Sequence, residues 1–182
     1  MKALIIPEDP RLDQYMLKPL IEAALKKAGK PRAKVSVCQD ASLRGDATII
    51  DFDAVKDIIE DNQLYDAFLL CVDRDCRETR PDTLKNLETR IREACPNKVF
   101  VAVCGVEELE VWVLAGLSDL EEPWSEVRAE CHPKERYFDS YVARKGHLDT
   151  PGRGRQVLGK VAASKYSQRI REMCPEIRAC EI

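Results

Sequence analysis

The sequence predicts an α/β fold: a mostly parallel four-stranded sheet covered by helices on both faces, with a C-terminal helical extension. Three observations carry this expectation. The runs at 68–72 and 99–104 are continuously apolar and rich in Val, Leu and Phe, as strands buried on both faces are. Stretches with apolar residues three and four apart separate such runs, which is the spacing of amphipathic helices. The order strand–helix, four times over, needs crossover connections, and right-handed crossovers build a parallel sheet.

Each element has its own signal. Ala3-Leu4-Ile5-Ile6 is a short strand, ended by Pro7-Glu8-Asp9-Pro10. Leu12, Tyr15, Met16, Leu17, Leu20, Ile21, Ala24, Leu25 and Ala28 then recur at helical spacing, and Gly29 stops the helix. Pro19 lies inside this pattern and predicts a kink or break near Lys18, because its ring removes a backbone donor. Residues 34–38 alternate as a strand. Residues 40–51 are polar and contain glycine, so they read as a loop. Val55, Ile58 and Ile59 mark a short helix ending near Asn62.

After the strand at 68–72, Pro81 opens a helix whose buried face is Leu84, Leu87, Ile91 and Ala94. Following the strand at 99–104, Gly105 turns the chain into a helix over 107–117. Trp112 belongs to the apolar stripe of that helix and is assigned to the core. Order weakens around Pro123-Trp124 and His132-Pro133, which read as irregular or short helical segments. Residues 150–155 read as a loop, and 157–173 as the last helix. This divides the chain into an α/β domain over 1–127 and a basic helical extension over 128–182, packed on the same domain.

Composition narrows the function classes. At 182 residues, 45% apolar and 34% charged, the chain is an ordinary globular protein with room for a real core. It has no apolar run near the roughly 20 residues of a membrane helix and no secretory signal pattern, so no membrane partner is expected and a cytoplasmic location is. Eight cysteines are not read as a disulfide framework. Cys38, Cys71 and Cys104 end apolar runs as small core residues do, and a reducing compartment fits them. Zinc is not expected either, since Cys131-His132 lacks a second pair at ligand spacing. From Arg128 onward 12 Lys and Arg face 7 Asp and Glu. The remainder therefore carries the acidic excess, and the asymmetry suggests an acidic metal site with a basic surface for an anionic partner. An ordinary solvated arginine-rich helix accounts for that charge equally well.

The acids themselves fall just past strand ends. Glu8 and Asp9 follow the first strand, Asp73 and Asp75 the third, and Glu107, Glu108 and Glu110 the fourth. In a parallel sheet these ends share one edge, the edge where open α/β sheets bind ligands. Carboxylates brought together there raise one another's pKa values unless a cation compensates. A hard divalent ion is the natural compensator, and the chemistry it favours is phosphoryl transfer or phosphodiester hydrolysis. Each set also has a plain reading as a helix cap, so the expectation rests on their coincidence.

Glu8 after the first strand and Asp73-Arg74-Asp75 after the third resemble the Toprim domain of topoisomerases, primases and OLD-type nucleases. With Glu108-Leu109-Glu110-Val111-Trp112 after the fourth, the chain is most similar to small stand-alone Toprim-like bacterial proteins. The resemblance spans roughly the first two-thirds of the chain. It implies a Toprim fold and a nuclease or related phosphotransfer activity dependent on Mg²⁺ or Mn²⁺. Glu8, Asp73 and Asp75 would be the catalytic residues, and Glu8, Asp73, Asp75, Glu108 and Glu110 the metal ligands. Asp13 matches an acidic residue often found a few positions after the glutamate. Asp9-Pro10 departs from the glycine that usually follows that glutamate. The resemblance further implies a nucleic-acid substrate, an ATPase partner and a role in prokaryotic defence against phage; a homodimer is common among small nucleases. Lys145, His147, Arg153 and Arg155 are candidate phosphate contacts, on charge alone.

Two alternatives stay open. One is a catalytically inactive Toprim-like subunit that binds or regulates beside an ATPase. The other is a phosphorylated receiver-type module. That module needs Ser or Thr after the fourth strand and a lysine after a fifth, whereas the fourth strand here runs into Cys104-Gly105-Val106-Glu107.

Overall fold

The computed structural model describes residues 1–40 and 46–182. Strands β1 (Lys2–Pro7), β2 (Lys34–Val37), β3 (Ala67–Asp73) and β4 (Val99–Gly105) form one sheet in the order β2-β1-β3-β4. All three pairings are parallel. The helices are α1 (Gln14–Lys27), α2 (Asp46–Ile49), α3 (Phe52–Asp61), α4 (Arg80–Ala94), α5 (Glu110–Gly116), α6 (Trp124–Ala129), α7 (Asp139–Arg144), α8 (Arg155–Ser164) and α9 (Arg171–Met173). Single π-helical turns at Lys134–Phe138 and Tyr166–Ile170 join the later ones, and a 3-10 helix, Pro175–Cys180, follows α9.

Strand alternation builds both layers. On β3, Ala67, Leu69 and Cys71 point into one apolar cluster with α1, α5, α7 and α8. Phe68, Leu70 and Val72 point into the other, with α3 and α4. The sheet is therefore covered on both faces, as the apolar runs of its strands predict. Residues 128–182 have no core of their own. Phe138, Val142, Leu158, Tyr166 and Ile170 enter the same cluster as α1 and α5. Among the described residues no helix is long and apolar enough to cross a membrane.

Three local expectations change. Helix α1 is continuous through Pro19, with no break at Lys18. Its buried face, Met16, Leu17, Leu20, Ile21, Ala24 and Leu25, packs on both sides of the proline and holds the helix together. The loop expected over 40–51 lies partly outside the described residues, and its later part holds the short α2. Residues after Pro123 form the short helix α6, one of the two forms expected there. The last helix is not continuous over 157–173: after α8 the amide of Ile170 reaches the carbonyl of Lys165 at 3.4 Å. This π-type widening lets both Tyr166 and Ile170 stay in the core.

Helices α5 and α8 meet at Gly116. A Cβ built there would lie 2.5 Å from the Ala162 Cα and 2.8 Å from its Cβ. Gly116→Ala is expected to lose about 1–3 kcal/mol through forced separation of the two helices, read as a shift in urea midpoint. Adding Ala162→Gly should recover part of the loss.

Candidate acidic site at the carboxyl edge of the sheet

The register sets the site. Pro7 pairs with Cys71 and Asp73 with Gly105, so the residues after β1, β3 and β4 emerge side by side. Gly105 lets the following loop fold back: a Cβ there would meet the Glu108 carbonyl oxygen at 2.7 Å and the Leu109 nitrogen at 2.8 Å. In that position the Leu109 amide donates to Asp73 Oδ1 at 2.8 Å. The Asp73 amide in turn donates to Glu8 Oε2 at 3.4 Å.

Four carboxylates share this corner. The Asp73 carboxyl is held well above the usual range, first by burial, then by the charge of Glu110, with Asp13 and Glu8 adding to it. Its bond from Leu109 opposes the rise. Asp13 is buried and pushed from 3.8 up to about 7, again by burial first and Glu110 second. The Asp9 amide, 3.0 Å from Asp13 Oδ2, and the charge of Arg155 pull it back.

Arg155 is the buried cation of this group. Its Nε donates to Glu110 Oε1 at 3.1 Å and its Nη2 reaches the same oxygen. Nη1 donates to the Gly152 carbonyl at 3.1 Å, and the guanidinium lies 5.1 Å from the Phe138 ring centre. Both side chains of the pair are almost fully enclosed, 5% exposed for Arg155 and 3% for Glu110. A charge so buried is held there only by a partner.

The structure splits the five carboxylates assigned from the sequence. Glu8, Asp73 and Glu110 meet at this corner, joined by Asp13. Asp75 does not: positive φ angles of 52° at Asp75 and 55° at Cys76 turn the chain away. The Asp75 carboxylate lies 3.5 Å from Arg80 Nη2. Glu108 accepts from the Lys134 amide and lies 3.3 Å from its ammonium. Burial raises the Glu108 pKa, opposed by both Lys134 contacts.

Glu107 is neither a helix residue nor a member of the acid cluster. Its φ of 68° places it in the loop before α5, so that helix starts at Glu110. The Glu107 carbonyl accepts from the amides of Arg74 (2.8 Å) and Asp75 (3.1 Å), and its carboxylate from the Cys76 amide at 2.6 Å. The same carboxylate pairs with the Arg74 guanidinium. Glu107 thus ties the loop after β3 to the loop after β4. Trp112 is fully buried, as assigned, and its indole donates to Glu176 Oε1 at 3.1 Å.

The basic candidates separate in the same way. Arg153 is exposed, and His147 is half-buried. Lys145 is exposed and paired with Asp119 at 2.6 Å. Arg155 instead serves the acidic corner from inside. Nothing in its sequence context distinguishes it from Arg153 two residues earlier.

Cysteine pairing corrects the sequence expectation at one place. Cys76 and Cys131 are bonded as a disulfide with a Cα–Cα distance of 5.7 Å, while Cys38, Cys71, Cys95, Cys104, Cys174 and Cys180 remain free. The partners are 55 residues apart, so no spacing motif links them. No family model, curated protein or solved structure matches the chain.

Proposed function

We propose that this protein is a metal-dependent nuclease or phosphodiesterase of Toprim type, working from the carboxyl edge of its sheet. The observation that carries this is the enclosure of Asp73 against Glu8, Asp13 and Glu110. Four mutually repelling carboxylates at a strand end are costly, and one arginine answers only part of that charge.

The donor set is all oxygen, which suits a hard ion such as Mg²⁺ or Mn²⁺. Glu8 and Asp73 would hold it, with Glu110 and Asp13 beside them. Bound there, it would supply neutralisation of phosphate charge and an activated water. The chain's own groups have definite tasks in this reading. The Leu109 amide orients Asp73. Asp13, with a pKa of about 7, can take or release a proton near neutrality. Arg155 holds the Glu110 carboxylate in place. Asp75 and Glu108, engaged by Arg80 and Lys134, act as positioning residues. The substrate would be DNA or RNA, approached through exposed Lys145 and Arg153, in the cytoplasm, in a phage-defence setting with an ATPase.

A specific observation favours the second reading, an inactive binding or regulatory subunit. Arg155 already supplies a buried positive charge to Glu110, as it would in a site that has dispensed with its metal.

One experiment separates the two. The full chain is incubated with labelled DNA and RNA in Mg²⁺, Mn²⁺ or EDTA, and its melting temperature is followed with Mn²⁺. A nuclease cleaves only with metal, and Asp73→Asn lowers the rate by roughly 100-fold or more while the fold survives. Equal cleavage by wild type and variant removes the proposal. Absence of both cleavage and a Mn²⁺-dependent melting shift selects the inactive subunit.

A further inference from the structure

A second cluster lies outside the acidic corner and is of different chemistry. Cys76, in the loop after β3, and Cys131-His132, between α6 and the following π-helical turn, place two sulfurs and one imidazole nitrogen within 4.8 Å of one another. His132 also belongs to a second group on the same scale, with the carboxylates of Glu108 and Glu135. We propose that Cys76, Cys131 and His132, with the two cysteines reduced, form a binding site for one thiophilic divalent cation of the zinc type.

Three features point to a metal rather than to a disulfide alone. First, a disulfide needs no histidine, whereas two thiolates and an imidazole are three of the four ligands of a tetrahedral zinc site. Donor atoms around such an ion are about 3.5–3.8 Å apart, within the reach that the cluster already has. Second, a zinc-bound histidine characteristically gives its other N–H to a carboxylate. The carboxylates of Glu108 and Glu135 lie within 4.8 Å of a His132 ring nitrogen, close enough to take up that role. Third, six of the eight cysteines stay free, three of them fully buried strand or C-terminal residues. This is the cysteine usage of a reducing compartment, where a lone exposed disulfide is opened.

The conversion balances. A low-molecular-weight thiol pool gives up two hydrogens and becomes a disulfide, and Cys76 and Cys131 become thiols. Both thiols then release a proton on binding the cation, giving a two-sulfur, one-nitrogen set with the fourth place open to water or to Glu135. Exchange with a low-molecular-weight disulfide runs the conversion backwards: that disulfide takes the two electrons and leaves as two thiols, the Cys76–Cys131 bond forms, and the ion is released. In either state the loop that follows Asp73 is clamped to residue 131 of the extension, so the site is a tether with two chemical forms. It does not rest on the acidic-edge proposal, because the ligands are soft and none of them is shared with Glu8, Asp73, Asp13 or Glu110.

The test uses the full chain, reduced with a phosphine and freed of metal, then titrated with Co²⁺ without oxygen. One Co²⁺ per chain should bind with a thiolate-to-metal absorption band and intense tetrahedral d–d bands, and Zn²⁺ should displace it. Cys76→Ser and Cys131→Ser should each abolish the thiolate band's full intensity, and His132→Gln should weaken the d–d bands. Glu135→Gln should reduce affinity by about tenfold, and Asp73→Asn should leave the bands unchanged. In the wild type alone, Zn²⁺ should shield Cys76 and Cys131 from alkylation, mapped by mass spectrometry, which keeps the test independent of variant folding. Absence of a thiolate–cobalt band in the reduced wild type overturns the proposal. So does a band that survives in the Cys76→Ser/Cys131→Ser double variant.

Discussion

Arg155→Met is expected to destabilise the protein by about 3–5 kcal/mol. The substitution keeps the packing volume beside Phe138 but removes the charge that faces Glu110. Glu110, 3% exposed, would then be a buried carboxylate with Asp13 and Asp73 for neighbours. The loss is a penalty for the stranded charge and not the worth of the ion pair. Replacing both partners, as in Arg155→Met/Glu110→Leu, should therefore recover most of it, since a buried pair exchanged for apolar side chains is often neutral. Urea unfolding at pH 7.5 checks both, at unchanged slope. A double variant as unstable as the single would show that Arg155 acts through its Gly152 contact instead.

The second large effect is on pH dependence. Asp13 has its pKa raised from 3.8 to about 7 in the fold. A raised carboxyl means that, between those values, the folded chain holds a proton the unfolded chain has lost. The contribution of this group is thus most favourable below about pH 4 and is lost as pH rises to about 7. Asp73, shifted in the same direction, adds to the trend. Wild type without metal should therefore be more stable near pH 5 than near pH 8, as long as other groups stay folded-like. Asp13→Asn cannot ionise, and its side-chain oxygen can still accept from the Asp9 amide. It should stabilise the protein by about 2–4 kcal/mol at pH 8, with the gain vanishing toward pH 4. Thermal unfolding of both proteins across pH 4–8 reads this directly. A pH-independent difference between them would mean that Asp13 is ionised at neutrality and that the corner is compensated already.

Much of the candidate site was readable before any coordinates. Glu8, Asp73 and Glu110 follow strands that periodicity identifies, and a parallel sheet brings such ends together. Asp75 and Glu108 face away from that corner because side-chain direction depends on φ. Positive φ angles at Asp75 and Cys76 go with the turn of Asp75 toward Arg80, and a positive φ at Glu107 with that of Glu108 toward Lys134. Arg155 reads, with Arg153, as a candidate phosphate contact because the sequence displays its charge and not its burial.

The cysteines divide along the same line. Cys71, at 0% exposure, is a core residue, as its apolar strand predicts. Cys76 and Cys131 sit in loops without periodicity, and a contact across 55 residues leaves no trace in local spacing.

By itself, then, the sequence determined the class of fold, the two-sided burial of the sheet and the edge at which the acids gather. Those follow from short-range patterns of apolar residues, which fix strand, helix and crossover. Only the tertiary structure decided which acids face one another, which arginine is their counter-charge and which cysteine meets Cys131. Those depend on loop backbone angles and on how the extension packs back over the sheet, and both are settled by contacts between segments far apart in the chain.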